Sequence, residues 1–133
     1  GNVLAEALAP GTVGTVVPMP MHRKRYIQRG FNHAEVLARD VARAHGLRME
    51  TTATRVRHTD PQVGLSARER RRNVRNAFAM NAAREPGQPL VLVDDIYTTG
   101  ESLRALARAG HAAGYGAITV LCLARAELGR SAL

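Results

Sequence analysis

Hydrophobic positions along the chain fall into continuous apolar runs and into longer segments with helical spacing. Two continuous runs are "PLVLV" at 89–93 and "AITVLCLA" at 117–124, and Thr12 to Val17 has the composition of a further strand, which Pro18 and Pro20 end. Such apolar runs are typical of strands that are covered on both faces of a parallel sheet. We therefore expect 89–93 and 117–124 to lie in the middle of a parallel sheet.

The helical segments have recognisable ends. Asn32 and Glu35, three residues apart, form a capping-box pattern, and apolar residues at helical spacing follow as far as Gly46. This pattern predicts a helix between those limits. Two further helices are predicted at 2–9, ended by a Pro-Gly pair, and at 101–114, ended by a glycine.

Three segments have weaker patterns. The β-branched stretch "TTATRVR" at 51–57 predicts a second strand, Ser66 with Glu69 predicts the start of a short and densely basic helix, and "NAFAM" at 76–80 is ambiguous. Strands and helices alternate along the whole chain. This order predicts an α/β fold, with a parallel sheet that has helices on both faces, in a single domain spanning residues 1–133.

Composition narrows the class of protein. The chain is 45% hydrophobic and 23% charged, and it has no apolar run near the ~20 residues of a membrane helix. A single cysteine, Cys122, cannot form a disulfide framework, and its apolar surroundings predict a core residue rather than a nucleophile. We expect a cytoplasmic protein. The histidines lack convergent ligand spacing and are predicted on surfaces or loops: His22, His33, His45, His58 and His111.

Positive charge is concentrated in two segments. The formal net charge is +8, and of 19 basic residues four lie in 23–29 and seven in 55–75, all but Lys24 being arginine. Arginine binds phosphate oxygens in a bidentate manner, so a polyanionic ligand is indicated, with nucleic acid as one candidate. A solvated basic face is the alternative interpretation.

Two adjacent acids, Asp94 and Asp95, follow the apolar run at 89–93, at the end of a strand where parallel sheets bind their ligands. Carboxylates accept hydrogen bonds from vicinal hydroxyls and suit Mg²⁺. Small residues then lead into the helix at 101–114 and predict an anion site of backbone amides and hydroxyls: Thr98, Thr99, Gly100, Glu101 and Ser102. A sugar phosphate fits both halves, whereas an ordinary strand-to-helix turn with a capping aspartate is the alternative.

The stretch "VLVDDIYTTGES" at 91–102 resembles the ribose-5-phosphate-binding motif of type I phosphoribosyltransferases, in which two acids precede a Thr-Thr-Gly turn and a final Ser or Thr. The segments 17–38 and 57–78 resemble blocks of the ComF family of competence-associated, phosphoribosyltransferase-like proteins. Neither a Walker A loop nor a Gly-x-Gly-x-x-Gly fingerprint is present at the strand end.

The resemblance implies a type I phosphoribosyltransferase fold and Mg²⁺-dependent transfer from phosphoribosyl pyrophosphate to an unidentified acceptor. Asp94 and Asp95 would bind the ribose hydroxyls, with Mg²⁺ nearby and held through the ligand, and residues 98–102 would bind the 5-phosphate. The pyrophosphate would face Arg23, Lys24, Arg25 and Arg29. A mobile loop containing Thr59, Gln62, Arg70 and Asn73 would close over the reaction, with Arg70 at the leaving group.

The chain departs from the family pattern in two ways. Many ComF relatives carry a cysteine-rich zinc-binding segment ahead of this domain. This sequence has a single cysteine and no such segment, so we expect an excised or short form. A segment with the size and aromatic content to select a nucleobase is also absent from the sequence. The alternative function is a non-catalytic component of DNA uptake that binds single-stranded DNA, although aromatic residues make up 4% of the chain. The oligomeric state stays open, with a homodimer as one alternative.

Overall fold

The computed structural model describes residues 2–21, 27–28, 30–56, 66, 68, 77–97 and 100–125. Helices and strands alternate through most of this part of the chain. In chain order the elements are α1 (Asn2–Ala7), β1 (Thr15–Pro18), α2 (His33–His45), β2 (Arg48–Met49), β3 (Ala53–Arg55), β4 (Phe78–Met80), β5 (Leu90–Tyr97), α3 (Glu101–Ala112) and β6 (Ile118–Arg125).

The main sheet has four parallel strands in the order β2, β1, β5, β6. Its central strand β5 carries four consecutive apolar residues, 90–93, each at most 1% exposed. A strand buried on both faces needs no polar alternation, and this explains the continuous apolar run in the sequence. The predicted α/β fold with a parallel sheet is confirmed.

Helices cover both faces of this sheet. Leu90 and Leu92 point to one face and form a hydrophobic cluster with residues of α3, among them Leu106. Val91 and Val93 point to the opposite face and pack with residues of α1 and α2. Because neighbouring side chains of a strand alternate between faces, β5 contributes to two separate cores and joins them.

Helix α2 begins and ends where the sequence predicts. The Oδ1 atom of Asn32 accepts a hydrogen bond from the Ala34 N–H at 3.0 Å, and Gly46 ends the helix in the left-handed conformation at φ 65°. Glu35 accepts instead from Arg39 one turn along. At 13 residues, α2 is the longest helix in the described part of the chain, and none there meets the length and hydropathy of a membrane span.

Strand β6 lies at the edge of the described sheet, because it pairs with β5 on one side in the order β2, β1, β5, β6. Val120 and Leu123 are accordingly 41% and 51% exposed. The expectation that both long apolar runs occupy the middle of the sheet is therefore right for β5 and wrong for β6. An apolar run does not by itself distinguish a central strand from an edge strand.

The short strands differ from the sequence-based expectations. The predicted strand within 51–57 is β3, but it pairs antiparallel with β4 in a separate two-stranded sheet. The ambiguous segment 76–80 contains β4. The parallel position beside β1 is taken by β2, whose two residues are too few to show a periodic pattern. The helix expected from Ser66 falls outside the described residues for most of its length.

Replacing Leu92 and Leu123 separately by alanine should distinguish the buried strand from the edge strand. Leu92 is 0% exposed, so Leu92→Ala should lower the free energy of unfolding by about 2–5 kcal/mol. Leu123→Ala, the matched change on half-exposed β6, should lower it by less than about 1 kcal/mol. Urea denaturation measures both values, and equal losses would contradict the assignment of β5 as the central buried strand.

Candidate functional site

The carboxyl end of β5 extends beyond that of β1. Pro18, the last residue of β1, is paired with Val93, whereas β5 continues through four more residues to Tyr97 with β6 beside it. Asp94 and Asp95 therefore lie beyond the end of β1 while still inside β5, and Asp94 is paired with Cys122 of β6. The sequence predicted these acids at the carboxyl edge of the sheet, and the structure puts them within the last half of the strand.

Asp94 and Asp95 are consecutive residues of β5, and their two carboxyl groups interact with each other. The Asp95 backbone N–H donates a hydrogen bond to Asp94 Oδ1 at 2.8 Å. On the α2 side, Asp95 Oδ2 lies 3.7 Å from the Nδ1 atom of His33. The two carboxylates thus form one acidic pair in the second half of the strand.

The Asp94 carboxyl titrates far above the usual range of an aspartate. Burial is the main cause, a hydrogen bond to the Asp95 side chain and the charge of Asp95 add to it, and together they raise the pKa of Asp94 from 3.8 to about 7. The Asp95 backbone N–H and the charge of Arg55 act in the opposite direction. A site that resists a second negative charge favours a ligand that brings hydroxyl donors or a cation.

Cys122, beside Asp94 in the sheet, is not a nucleophile candidate. Its side chain is half-buried, and burial followed by the charges of Asp94 and Asp95 raises the pKa of its thiol to about 11. The thiolate is the reactive form of cysteine, so this side chain stays protonated and unreactive at neutral pH. It packs at the margin of the α3-side cluster, in agreement with the predicted core role.

Helix α3 follows β5 in the chain. Gly100 precedes the helix, is buried, and adopts the left-handed conformation at φ 82°, which favours glycine. The Arg104 N–H donates to the Gly100 carbonyl at 2.9 Å. The dipole of α3 favours an anion at this end, although Glu101 brings a carboxylate to the same helical turn.

Of the residues predicted to bind the 5-phosphate, the structure describes Gly100, Glu101 and Ser102, the last two half-buried in the first turn of α3. It brings Gly100 to the same end of β5 as the acidic pair. The other predicted site residues lie outside the described residues: Thr98, Thr99, Arg23, Lys24, Arg25, Arg29, Thr59, Gln62, Arg70 and Asn73.

The sheet of β3 and β4 leads toward the acidic pair. The guanidinium of Arg55 in β3 stacks over the ring of Phe78 in β4 at 4.9 Å, and its charge lowers the pKa of Asp94. The Val56 N–H donates to the Ala77 carbonyl at 2.7 Å. The chain therefore leaves β3 and returns to β4 at adjacent positions, and the residues predicted to form a mobile loop fall outside the described residues.

His33 is a site residue that sequence reasoning missed. Its side chain is 54% exposed, as predicted for a surface histidine, yet it contacts Asp95. The available signal was its position directly after the helix cap Asn32 in the connection that follows β1. The connection that follows β1 starts at the carboxyl ends of the parallel strands, and the acids of β5 lie at the same ends.

A small cavity of about 140 Å³ lies beside the end of β1. Asn32 and Glu35 of the α2 start contribute polar groups to it, and the acidic pair is not part of its lining. The described lining residues are Pro18, Pro20, Met21, Asn32, Glu35, Thr51 and Ala53. Because Pro18 is paired with Val93, this cavity borders the same edge of the sheet as Asp94.

The acidic pair suits a magnesium ion whose other coordinating oxygens come from a bound substrate. Within the described residues, no three or more His, Cys, Asp and Glu side chains are grouped as a metal site. Mg²⁺ is commonly bound through one or two carboxylates together with substrate phosphates and water. Asp94 and Asp95 fit that mode, since their mutual repulsion would be relieved by a cation.

Replacing Asp94 by asparagine should alter the pH dependence of stability. With the folded-state pKa raised from 3.8 to about 7, the folded protein holds more protons than the unfolded chain within that window, so wild-type stability falls as pH rises through it. Asp94→Asn removes this effect. As pH rises from 4 to 8, the free energy of unfolding of the variant should therefore increase relative to that of the wild type. Urea denaturation at several pH values measures this difference.

The control for that experiment is Glu85→Gln, which removes an exposed carboxylate from the loop before β5. Its profile should run parallel to that of the wild type. If the Asp94→Asn and wild-type profiles were parallel as well, the assignment of a raised pKa to Asp94 would be wrong.

Comparison with curated proteins finds relatives over most of the chain. It is 35% identical over 114 residues to "Competence protein F" of Haemophilus influenzae, 84% of this chain and 50% of that protein. It is 37% and 36% identical over 111 residues to "DNA utilization protein YhgH" of Salmonella typhi and of Escherichia coli, in each case 83% of this chain and 48% of that protein. The chain thus spans about half the length of these relatives. A scan against protein-family profiles finds no match.

Proposed function

This chain belongs to the ComF family, and we propose that it binds phosphoribosyl pyrophosphate together with Mg²⁺ and transfers the phosphoribosyl group to an acceptor in competence or DNA utilization. The observation that carries the proposal is the succession of two carboxylates in the second half of β5 and the N-terminus of α3, which starts four residues after the end of that strand. Hydroxyl-binding and phosphate-binding groups in this order favour a sugar phosphate. A cytoplasmic location belongs to the same proposal.

The two halves of the site would bind two parts of one ligand. Asp94 and Asp95 would accept hydrogen bonds from the ribose hydroxyls, and residues 98–102 at the start of α3 would bind the 5-phosphate. The raised pKa of Asp94 supports this division, because a second carboxylate is unfavourable at that position without a hydroxyl or cationic partner. Mg²⁺ would neutralise charge on the ligand beside the acids.

The basic residues would bind the leaving group. In this proposal the pyrophosphate would be bound by the cationic side chains of Arg23, Lys24, Arg25 and Arg29, and by Arg70 at the leaving group. The bond from ribose C1 to the pyrophosphate oxygen breaks, pyrophosphate leaves with the electron pair, and the acceptor nucleophile bonds to C1 and loses its proton. Positioning and electrostatic stabilisation of a cationic ribose supply the catalysis, so no protein nucleophile is needed.

Titration calorimetry with phosphoribosyl pyrophosphate, with and without Mg²⁺, tests the proposal. Wild-type protein should bind with an affinity that Mg²⁺ increases. The Asp94→Asn/Asp95→Asn variant should lose detectable binding, because the hydroxyls of ribose and the cation lose their carboxylate partners.

A matched double variant, Asp40→Asn/Glu85→Gln, removes two negative charges away from the acidic pair and should bind like the wild type. Circular dichroism would verify that each variant is folded. Unchanged affinity in the Asp94→Asn/Asp95→Asn variant would overturn the site assignment.

A second candidate function is the binding of single-stranded DNA without catalysis. It is supported by the names of the relatives, which refer to competence and DNA utilization, and by the net charge of +8. Exposed arginines lie on both layers of helices, for example Arg43 on α2 and Arg108 on α3. The low aromatic content counts against it, since stacking on aromatic side chains usually accompanies a basic groove.

If DNA binding is the function, the association constant for a single-stranded oligonucleotide should fall steeply with salt concentration, with a log–log slope of about −0.7 for each phosphate contact. The Asp94→Asn/Asp95→Asn variant should then bind DNA at least as tightly as the wild type, because the carboxylates repel the phosphate backbone. Fluorescence anisotropy measures both quantities. A weak slope, or DNA binding that disappears with the acids, would contradict this alternative.

A further inference from the structure

His33 is the described histidine that contacts the acidic pair. It is the first residue of α2, and its Nδ1 atom lies 3.7 Å from Asp95 Oδ2, with the two side chains 54% and 31% exposed. The His33 ring also meets the edge of Phe31, with ring centroids 4.8 Å apart and planes inclined by 72°. The imidazole is therefore restrained on one side by an aromatic ring and faces the carboxylate on the other.

Hydrogen bonds to Asn32 fix the position of His33 relative to β5. The Nδ2 group of Asn32 donates to the Met19 carbonyl, and its Oδ1 atom accepts from the Ala34 N–H, both at 3.0 Å. The Met19 N–H in turn donates to the Val93 carbonyl at 2.8 Å. These three hydrogen bonds connect the start of α2 to Val93, the residue that precedes Asp94. They hold His33 near Asp95.

The other described histidines have a different role. His45, at the end of α2, contacts the carbonyl of Ala5 in α1, and His111 contacts the carbonyl of Tyr115 after α3. Those contacts join neighbouring segments of the fold. The partner of His33 is Asp95, a carboxylate that binds the ribose hydroxyls in the proposed function. The contact of His33 can therefore affect ligand binding, whereas those of His45 and His111 involve backbone carbonyls away from the acidic pair.

We propose that His33 is a positioning residue for Asp95, an inference that rests on the proposed function. Its ring N–H donates to Asp95 Oδ2 and holds the carboxylate so that its remaining acceptor sites meet a vicinal pair of ribose hydroxyls. The separation of 3.7 Å shortens when the ligand orders the carboxylate, as catalytic hydrogen bonds commonly do on binding. By holding Asp95 in this orientation, His33 strengthens the preference for ribose over 2-deoxyribose.

The test is titration calorimetry with ribose 5-phosphate and with 2-deoxyribose 5-phosphate. His33→Ala should weaken ribose 5-phosphate binding about threefold to tenfold, in the range of a partly exposed charge-assisted contact, and should weaken 2-deoxyribose 5-phosphate binding less. His33→Gln, which keeps a donor, should recover part of the loss. His111→Ala is the matched control and should bind both sugars like the wild type.

A double-mutant cycle separates positioning from a general structural effect. If His33 acts through Asp95, then His33→Ala should cause no further loss in an Asp95→Asn background. Additive losses, or equal losses for both sugars, would overturn the inference. Comparing two sugars on the same protein keeps the test valid even if a variant is less stable.

The outcomes also separate this inference from the proposed function. Wild-type protein that binds neither sugar phosphate would contradict the proposed function, and this inference with it. Wild-type binding of ribose 5-phosphate that is weakened in Asp95→Asn but unchanged in His33→Ala would leave the proposed function standing and refute the role of His33 alone.

Discussion

Strand β5 is longer than its neighbour β1, and this difference in length creates the candidate site. β1 ends opposite Val93, whereas β5 continues through Tyr97 with β6 alongside. The first half of β5 is apolar and joins the cores on both faces of the sheet, so its second half is held in a fixed direction. The acids at 94 and 95 are carried by a strand whose first half is buried on both faces, and a buried strand provides the rigid support that a ligand site requires.

The acidic pair is electrostatically unfavourable in the free protein. Burial and the neighbouring carboxylate raise the pKa of Asp94 to about 7, and burial followed by the charges of both acids raises the pKa of Cys122. The surroundings only partly compensate, through Arg55 and the Asp95 backbone N–H. A binding partner with hydroxyls or a cation would relieve this repulsion, so the cost to stability and the proposed affinity for a sugar phosphate have one physical origin.

The sequence predicted the elements whose signals are local. The cap at Asn32 and the glycine at 46 define α2, and the apolar run before Asp94 defines β5, as the structure confirms. It did not predict the features that depend on pairing between distant segments. β6 lies at the edge of the sheet that the described residues form, β3 pairs with β4 rather than with the main sheet, and β2 is too short to carry a pattern. His33 was missed for the same reason, since its contact with Asp95 joins residues that are far apart in sequence.

In the proposed function one ligand spans the acidic pair and the N-terminus of α3. Amide NMR spectra recorded during titration with ribose 5-phosphate, and separately with inorganic phosphate, would test this. Ribose 5-phosphate should shift the signals of Asp94, Asp95 and Gly100 together, with a single dissociation constant, whereas inorganic phosphate should shift the Gly100 region alone. Identical responses to the two ligands, with the signals of Asp94 and Asp95 unmoved, would contradict the claim that this edge of the sheet recognises a sugar.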